Sequence, residues 1–110
     1  MEIVYARDSY LSEFSHKTLQ DRYLIDGEMS PQDAFARAAK AFSDNEAHAQ
    51  RLYDYASKLW FMFSTPILSN GGTSRGLPIS CFLNYVEDSR QGLTGHYTEN
   101  AFLSSVGGGV

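Results

Sequence analysis

Cys81 is the only thiol among 110 residues. A lone cysteine cannot form an internal disulfide or a cysteine zinc site. Redox work at Cys81 would therefore need a second thiol from outside the chain. Cys81 lies in Ile79-Ser80-Cys81-Phe82-Leu83, inside an apolar stretch, and by pattern alone it reads as a small buried hydrophobe. His16, His48 and His96 lack metal-ligand spacing and read as helix-face residues. Two glycine-rich stretches could let backbone N–H groups approach an anion. Asn70-Gly71-Gly72-Thr73 carries no lysine in P-loop spacing, and Gly107-Gly108-Gly109 is not a dinucleotide fingerprint, so both read first as turns. Asp88-Ser89 reads as a helix cap.

The elements that would position these residues are mostly helical. Asp8–Leu24 could place Tyr10, Phe14, Leu19 and Tyr23 on one helix face. Ser30-Pro31-Gln32-Asp33 offers an N-cap serine, a proline at the first helical position and an acid near the positive end of the dipole. The alanine-rich run Ala34–Phe42 continues that helix. A third helix is expected over Glu46–Phe63, with Ala49, Leu52, Ala56, Leu59, Trp60 and Phe63 on its packing stripe. Ser64-Thr65-Pro66 should end it. Ile79–Val86 fits a short buried strand. A last helix, capped by Asp88 or Ser89, should run to about Val106 and stop at the triple glycine.

Charge and glycine are unevenly distributed. Of 22 charged residues, 17 fall in Met1–Phe63, which has one glycine; Ser64–Val110 has five charges and eight of the nine glycines. The first half reads as a solvated helical shell and the second as a buried or ligand-facing segment. The net charge of −4 argues against a nucleic-acid-binding surface. No apolar run approaches the ~20 residues that span a bilayer, and no signal-peptide apolar region forms. A soluble, cytoplasmic protein with a reduced thiol is expected.

Four blocks of the second half share an order and spacing with a known family. These are Ser64-Thr65-Pro66-Ile67-Leu68-Ser69-Asn70-Gly71-Gly72-Thr73, Arg75-Gly76-Leu77-Pro78-Ile79-Ser80-Cys81-Phe82-Leu83, Glu87-Asp88-Ser89 and Gly107-Gly108-Gly109-Val110. Together they resemble the start of the catalytic barrel of ribonucleotide reductase large subunits. The stretches around Thr65 and Cys81 look most like the class I diphosphate reductases; the Glu-Asp-Ser and triple-glycine features also occur in cobalamin-dependent members. The resemblance implies an α/β fold: a helical N-terminal region, residues 1–63, leads into the first strand and helix of a ten-stranded α/β barrel. The barrel portion, residues 64–110, would be incomplete in this chain.

The resemblance also implies roles. Thr65 and Ser80 would contact substrate phosphates and ribose, with the Gly108 and Gly109 backbone close to the nucleotide. Cys81 would be one of two reducing thiols and become half of a disulfide. Asp88 and Ser89 would belong to a site for an ATP or deoxynucleotide effector. Glycines suit backbone approach to a nucleotide, and low charge suits a radical site that excludes water.

The family reaction also needs a radical cysteine, a second redox cysteine, a nearby glutamate and asparagine, and a C-terminal cysteine pair. Only Cys81 is present, so the chain is expected to be one piece of a split, interrupted or truncated subunit and inactive alone. Implied partners are the remainder of the large subunit, a small subunit holding a dinuclear metal/radical cofactor, thioredoxin or glutaredoxin, and a second copy of the completed subunit. No metal or other cofactor is expected on this chain beyond nucleotides. Ser64–Val110 should be poorly ordered without its complement. The competing reading is a non-catalytic interaction or regulatory remnant that binds nucleotide.

Overall fold

The computed structural model describes all residues, Met1–Val110. They form two units, Met1–Pro78 and Ile79–Val110. The first contains a 3-10 turn at Tyr5–Tyr10 and four helices: α1 (Glu13–Arg22), α2 (Pro31–Ala41), α3 (Glu46–Ser57) and α4 (Thr65–Asn70). The second contains α5 (Arg90–Ser105).

α2 is the centre of the first unit. Ser30 accepts a hydrogen bond from the Gln32 N–H, and the Asp33 carboxylate reaches back to the Ser30 N–H, forming a capping box with Pro31 at the first position. Its buried side chains, Ala34, Phe35, Ala38 and Ala39, are mostly small. Small residues let neighbouring helices approach closely, and the core is completed by Leu19 of α1, Tyr53 and Ala56 of α3 and Leu68 of α4.

The expected first helix divides. Leu11 and Ser12 take extended conformations between the 3-10 turn and α1, and Ser12 caps α1 by accepting from the Ser15 N–H. On the proposed face only Leu19 is buried, while Phe14 is 80% exposed. The third helix stops six residues before Phe63. Leu59 adopts φ +62°, its N–H bonds to the Ala56 carbonyl, and the Trp60 N–H bonds to the Tyr55 carbonyl. This is a Schellman ending with leucine where glycine is usual, and Trp60 stacks on Tyr55 at 5.2 Å. A local helix-closing turn thus interrupts a helical pattern that continues to Phe63. Ala49 and Ala56 of the expected stripe are buried, whereas Trp60 is 68% exposed. Ser64-Thr65-Pro66 begins α4, because proline is tolerated in a first turn, where the N–H has no helical partner.

The charged half is not merely a solvated shell. The Arg37 guanidinium, about nine-tenths buried, donates to both oxygens of Glu28 and to the carbonyls of Tyr23 (3.1 Å), Leu68 (2.9 Å) and Gly71 (2.7 Å). Gly71 is buried against α2, and a Cβ there would meet the Ile67 carbonyl and the Phe42 ring. Asn70-Gly71-Gly72-Thr73 is therefore a turn packed under Arg37. A second polar cluster pins the N-terminal turn: Arg7 donates to Asp54 (2.7 Å) and Ser57 (2.6 Å), and Ser30 and Gln32 donate to Asp8 (2.6 and 2.9 Å). The Tyr53 hydroxyl donates to buried Gln32 and accepts from the Val4 N–H.

In the second unit Ser89, rather than Asp88, caps α5 by accepting from the Gly92 N–H at 2.9 Å. The expected buried strand Ile79–Val86 does not form. One parallel bridge, Cys81 to Gly109, is its only pairing, and no residue of Ile79–Val110 is buried. A strand needs a ladder of neighbours to satisfy its backbone and cover its side chains, and one bridge supplies neither. No helix is long and apolar enough to cross a membrane.

Arg37→Met should lower the urea-unfolding free energy by about 3–5 kcal/mol, because it leaves the Glu28 carboxylate buried without its cation. Acid should also weaken the fold. Burial works to raise the Asp33 and Asp54 carboxyls, but hydrogen bonds outweigh it and hold both below their ordinary range. The donors are the Met29 N–H, Tyr5 hydroxyl and Ser30 N–H for Asp33, and Arg7 and Gln50 for Asp54. A depressed folded pKa gives stability that is present above the unfolded value, near 3.8, and is lost as pH falls through the folded one. Urea titrations between about pH 5 and pH 2 should show this loss, and Asp54→Asn should flatten it.

Candidate functional site

Four of the seven site residues expected from sequence come together in the second unit. The Gly109 N–H donates to the Ser80 carbonyl, and the Phe82 N–H donates to the Gly109 carbonyl at 2.9 Å. Both bonds flank Cys81, so Cys81 sits at the bridge itself. Cys81 is exposed, which overturns the reading of a buried small hydrophobe. The Ser80 hydroxyl lies 3.9 Å from its sulfur.

The three glycines each have a different cause. Gly107 takes φ +84° after the last turn of α5. Its N–H bonds to the Ser104 carbonyl and that of Gly108 to the Leu103 carbonyl, a Schellman pair that closes the helix. At Gly108 a Cβ would lie 2.6 Å from the Phe82 ring and 3.0 Å from the Leu103 carbonyl oxygen. Gly109 carries the bridge to Cys81, and a Cβ there would sit 3.3 Å from the Ser80 carbonyl oxygen. The helix end and the thiol segment are thus locked by backbone contacts that leave no room for side chains.

Asp88 and Ser89 lie at the opposite end of α5, about 24 Å away for sixteen residues at helical rise. Asp88 is exposed, and the Ser89 hydroxyl oxygen accepts from Gly92. A Cβ on Gly92 would collide with the Glu87 carbonyl, so this turn also depends on glycine. Along α5, Asn100 links Asn84 (2.6 Å) to the His96 ring (3.0 Å). His16 faces Asp8 at 3.8 Å and His48 faces Asp44 at 3.5 Å.

Thr65 belongs to the first unit, as the first residue of α4. It is exposed, and its hydroxyl oxygen lies 3.1 Å from the Tyr23 hydroxyl. Both residues line a cavity of about 570 Å³ with Tyr10, Phe14, Phe63 and Leu68 among its walls. Sequence reasoning missed the Tyr23–Thr65 pair, whose members are 42 residues apart with no local signal. It also missed Arg37, although a cation three residues into an apolar, alanine-rich run was a visible cue.

Gly108→Ala should strip hydrogen-exchange protection from the Phe82 and Gly109 amides, because the Phe82 ring or the Leu103 turn must move. Gly95→Ala, with open space around its Cβ position, should instead strengthen α5 by about 0.5–1 kcal/mol, measured as raised amide protection along the helix.

Comparison with known proteins places these observations in a family. The family model described as ribonucleotide reductase, all-alpha domain, matches residues 9–76. The ribonucleoside-diphosphate reductase large subunit of Invertebrate iridescent virus 6 is 46% identical over 105 residues, covering 96% of this chain and 11% of that protein. The large subunit of Invertebrate iridescent virus 3 is 43% identical over 106 residues, covering 96% of this chain and 17% of that protein. The alpha subunit of the Helicobacter pylori enzyme (strain ATCC 700392 / 26695) is 32% identical over 113 residues, covering 94% and 14% respectively. The chain thus spans between 11% and 17% of the length of these relatives. With the family model covering well over half its residues, the chain belongs to the ribonucleotide reductase large-subunit family, through that family's all-alpha domain.

Proposed function

We propose that this chain supplies the N-terminal part of a ribonucleotide reductase catalytic subunit that reduces ribonucleoside diphosphates to deoxyribonucleoside diphosphates. The observation that carries the reading is the Cys81–Gly109 bridge. It holds an exposed thiol beside Ser80 and against the main chain of Gly109.

In this reading Thr65 and Ser80 bind substrate phosphate and ribose, and the Gly108-Gly109 backbone approaches the nucleotide. The 2′-hydroxyl leaves as water. Cys81 and a partner thiol from outside these 110 residues together give up two electrons and two protons as they join in a disulfide, and thioredoxin or glutaredoxin restores them. A dinuclear metal centre in a separate small subunit supplies the oxidising equivalent that starts the radical chemistry, as in class I enzymes. Asp88 and Ser89, at the far end of α5, hold an ATP or deoxynucleotide effector. The remaining barrel strands would continue the Cys81 segment and cover the apolar side chains that the second unit exposes, among them Leu83, Tyr85, Tyr97 and Phe102. The completed subunit works as a cytoplasmic homodimer and supplies DNA precursors.

The test is a reductase assembled around this chain, with residues 1–110 joined to the remainder of the Invertebrate iridescent virus 6 large subunit. The assembly should reduce nucleoside diphosphates. Cys81→Ser should hold steady-state turnover below about a thousandth of that rate, as loss of a group that takes part in the reaction does. No reductase activity from the wild-type assembly, or undiminished turnover by Cys81→Ser, overturns the reading.

A further inference from the structure

We infer that Tyr23 is a positioning residue that aims the Thr65 hydroxyl at the substrate diphosphate; this rests on the reading that Thr65 contacts phosphate.

Tyr23 closes α1. Its N–H bonds to the Leu19 carbonyl, and its own carbonyl accepts from Arg37 at 3.1 Å. Its ring packs against the core, so the phenol leaves the core from a fixed origin. The same guanidinium donates to Leu68 and Gly71, which hold the other end of α4. Arg37 therefore sets the spacing between Tyr23 and the helix that begins with Thr65. The 3.1 Å contact between the two hydroxyl oxygens follows from that arrangement.

A threonine hydroxyl has one proton and two acceptor sites. When Tyr23 donates to one acceptor site, the Thr65 proton cannot point back along the same line and must project outward. A hydroxyl so oriented donates to an anionic oxygen without first searching its rotor positions. An anion in front of Thr65 favours this polarity, with tyrosine donating to threonine and threonine to phosphate, because each donation makes the next hydroxyl a better donor. Tyr23 touches no reacting atom in this scheme, so its removal should affect binding and spare the chemical step.

The test uses the assembled reductase described above, carrying Tyr23→Phe, Thr65→Val or both. Tyr23→Phe keeps the ring and its packing and should leave the melting temperature and kcat unchanged. It should raise KM for the nucleoside diphosphate roughly three- to tenfold, the worth of one hydrogen bond. Thr65→Val should raise KM at least as much, and the double variant should match Thr65→Val alone, since Tyr23 acts only through that hydroxyl. If Thr65→Val raises KM and Tyr23→Phe does not, the positioning role is overturned while the phosphate-binding role of Thr65 stands. If the two effects add in the double variant, Tyr23 acts independently and the inference fails. If Thr65→Val leaves KM unchanged, the underlying reading of Thr65 fails and the inference falls with it. A lower melting temperature and kcat for Tyr23→Phe with KM unchanged would mark Tyr23 as merely structural.

Discussion

The helical unit depends on one buried cation meeting the ends of two helices. The Arg37 guanidinium donates to the C-cap carbonyl of α1 at Tyr23, to Leu68 in the last turn of α4, and to the α4 cap at Gly71. These carbonyls have no partner within their own helices, and the helix dipoles place partial negative charge at the same ends. Glu28 supplies the full negative charge that makes burial of the guanidinium tolerable. Lysine could not repeat the arrangement, because an ammonium has three donors on one point and no planar fork to span the acceptors. Fixing α1 and α4 to α2 through one group also fixes the position of Thr65.

The second unit solves a different problem. It has no buried residue and therefore little packing energy to position a thiol. It uses backbone geometry instead. The Schellman ending of α5 turns the chain through Gly107, lays Gly108 against Phe82, and delivers Gly109 to the bridge with Cys81. Each step requires glycine for a separate reason, so the triple glycine is three constraints in succession rather than a flexible linker.

Local chemistry was the legible part of this fold. Ser30-Pro31 with Asp33, Ser89 and Gly107 all lie where their side chains or conformational freedom suit a helix end, and the structure uses them so. Periodicity and residue type were the less legible part. The apolar period of α3 runs on to Phe63, but the chain closes the helix at Leu59 in a left-handed conformation, with Trp60 stacked back on Tyr55. Ile79–Val86 has the residue types of a strand, yet strand formation depends on neighbours, and one bridge is all it finds here. Cys81 and Gly109 are 28 positions apart, and nothing near either one announces the pairing.

The segment that carries the thiol is held without help from the thiol itself. The Phe82 ring lies against Gly108, and the two bridge bonds run between the main chains of Ser80, Phe82 and Gly109. Neither bond uses the Cys81 side chain, which is exposed. The position of Cys81 is therefore set by the amide and carbonyl groups of its neighbours, which remain when its own side chain changes.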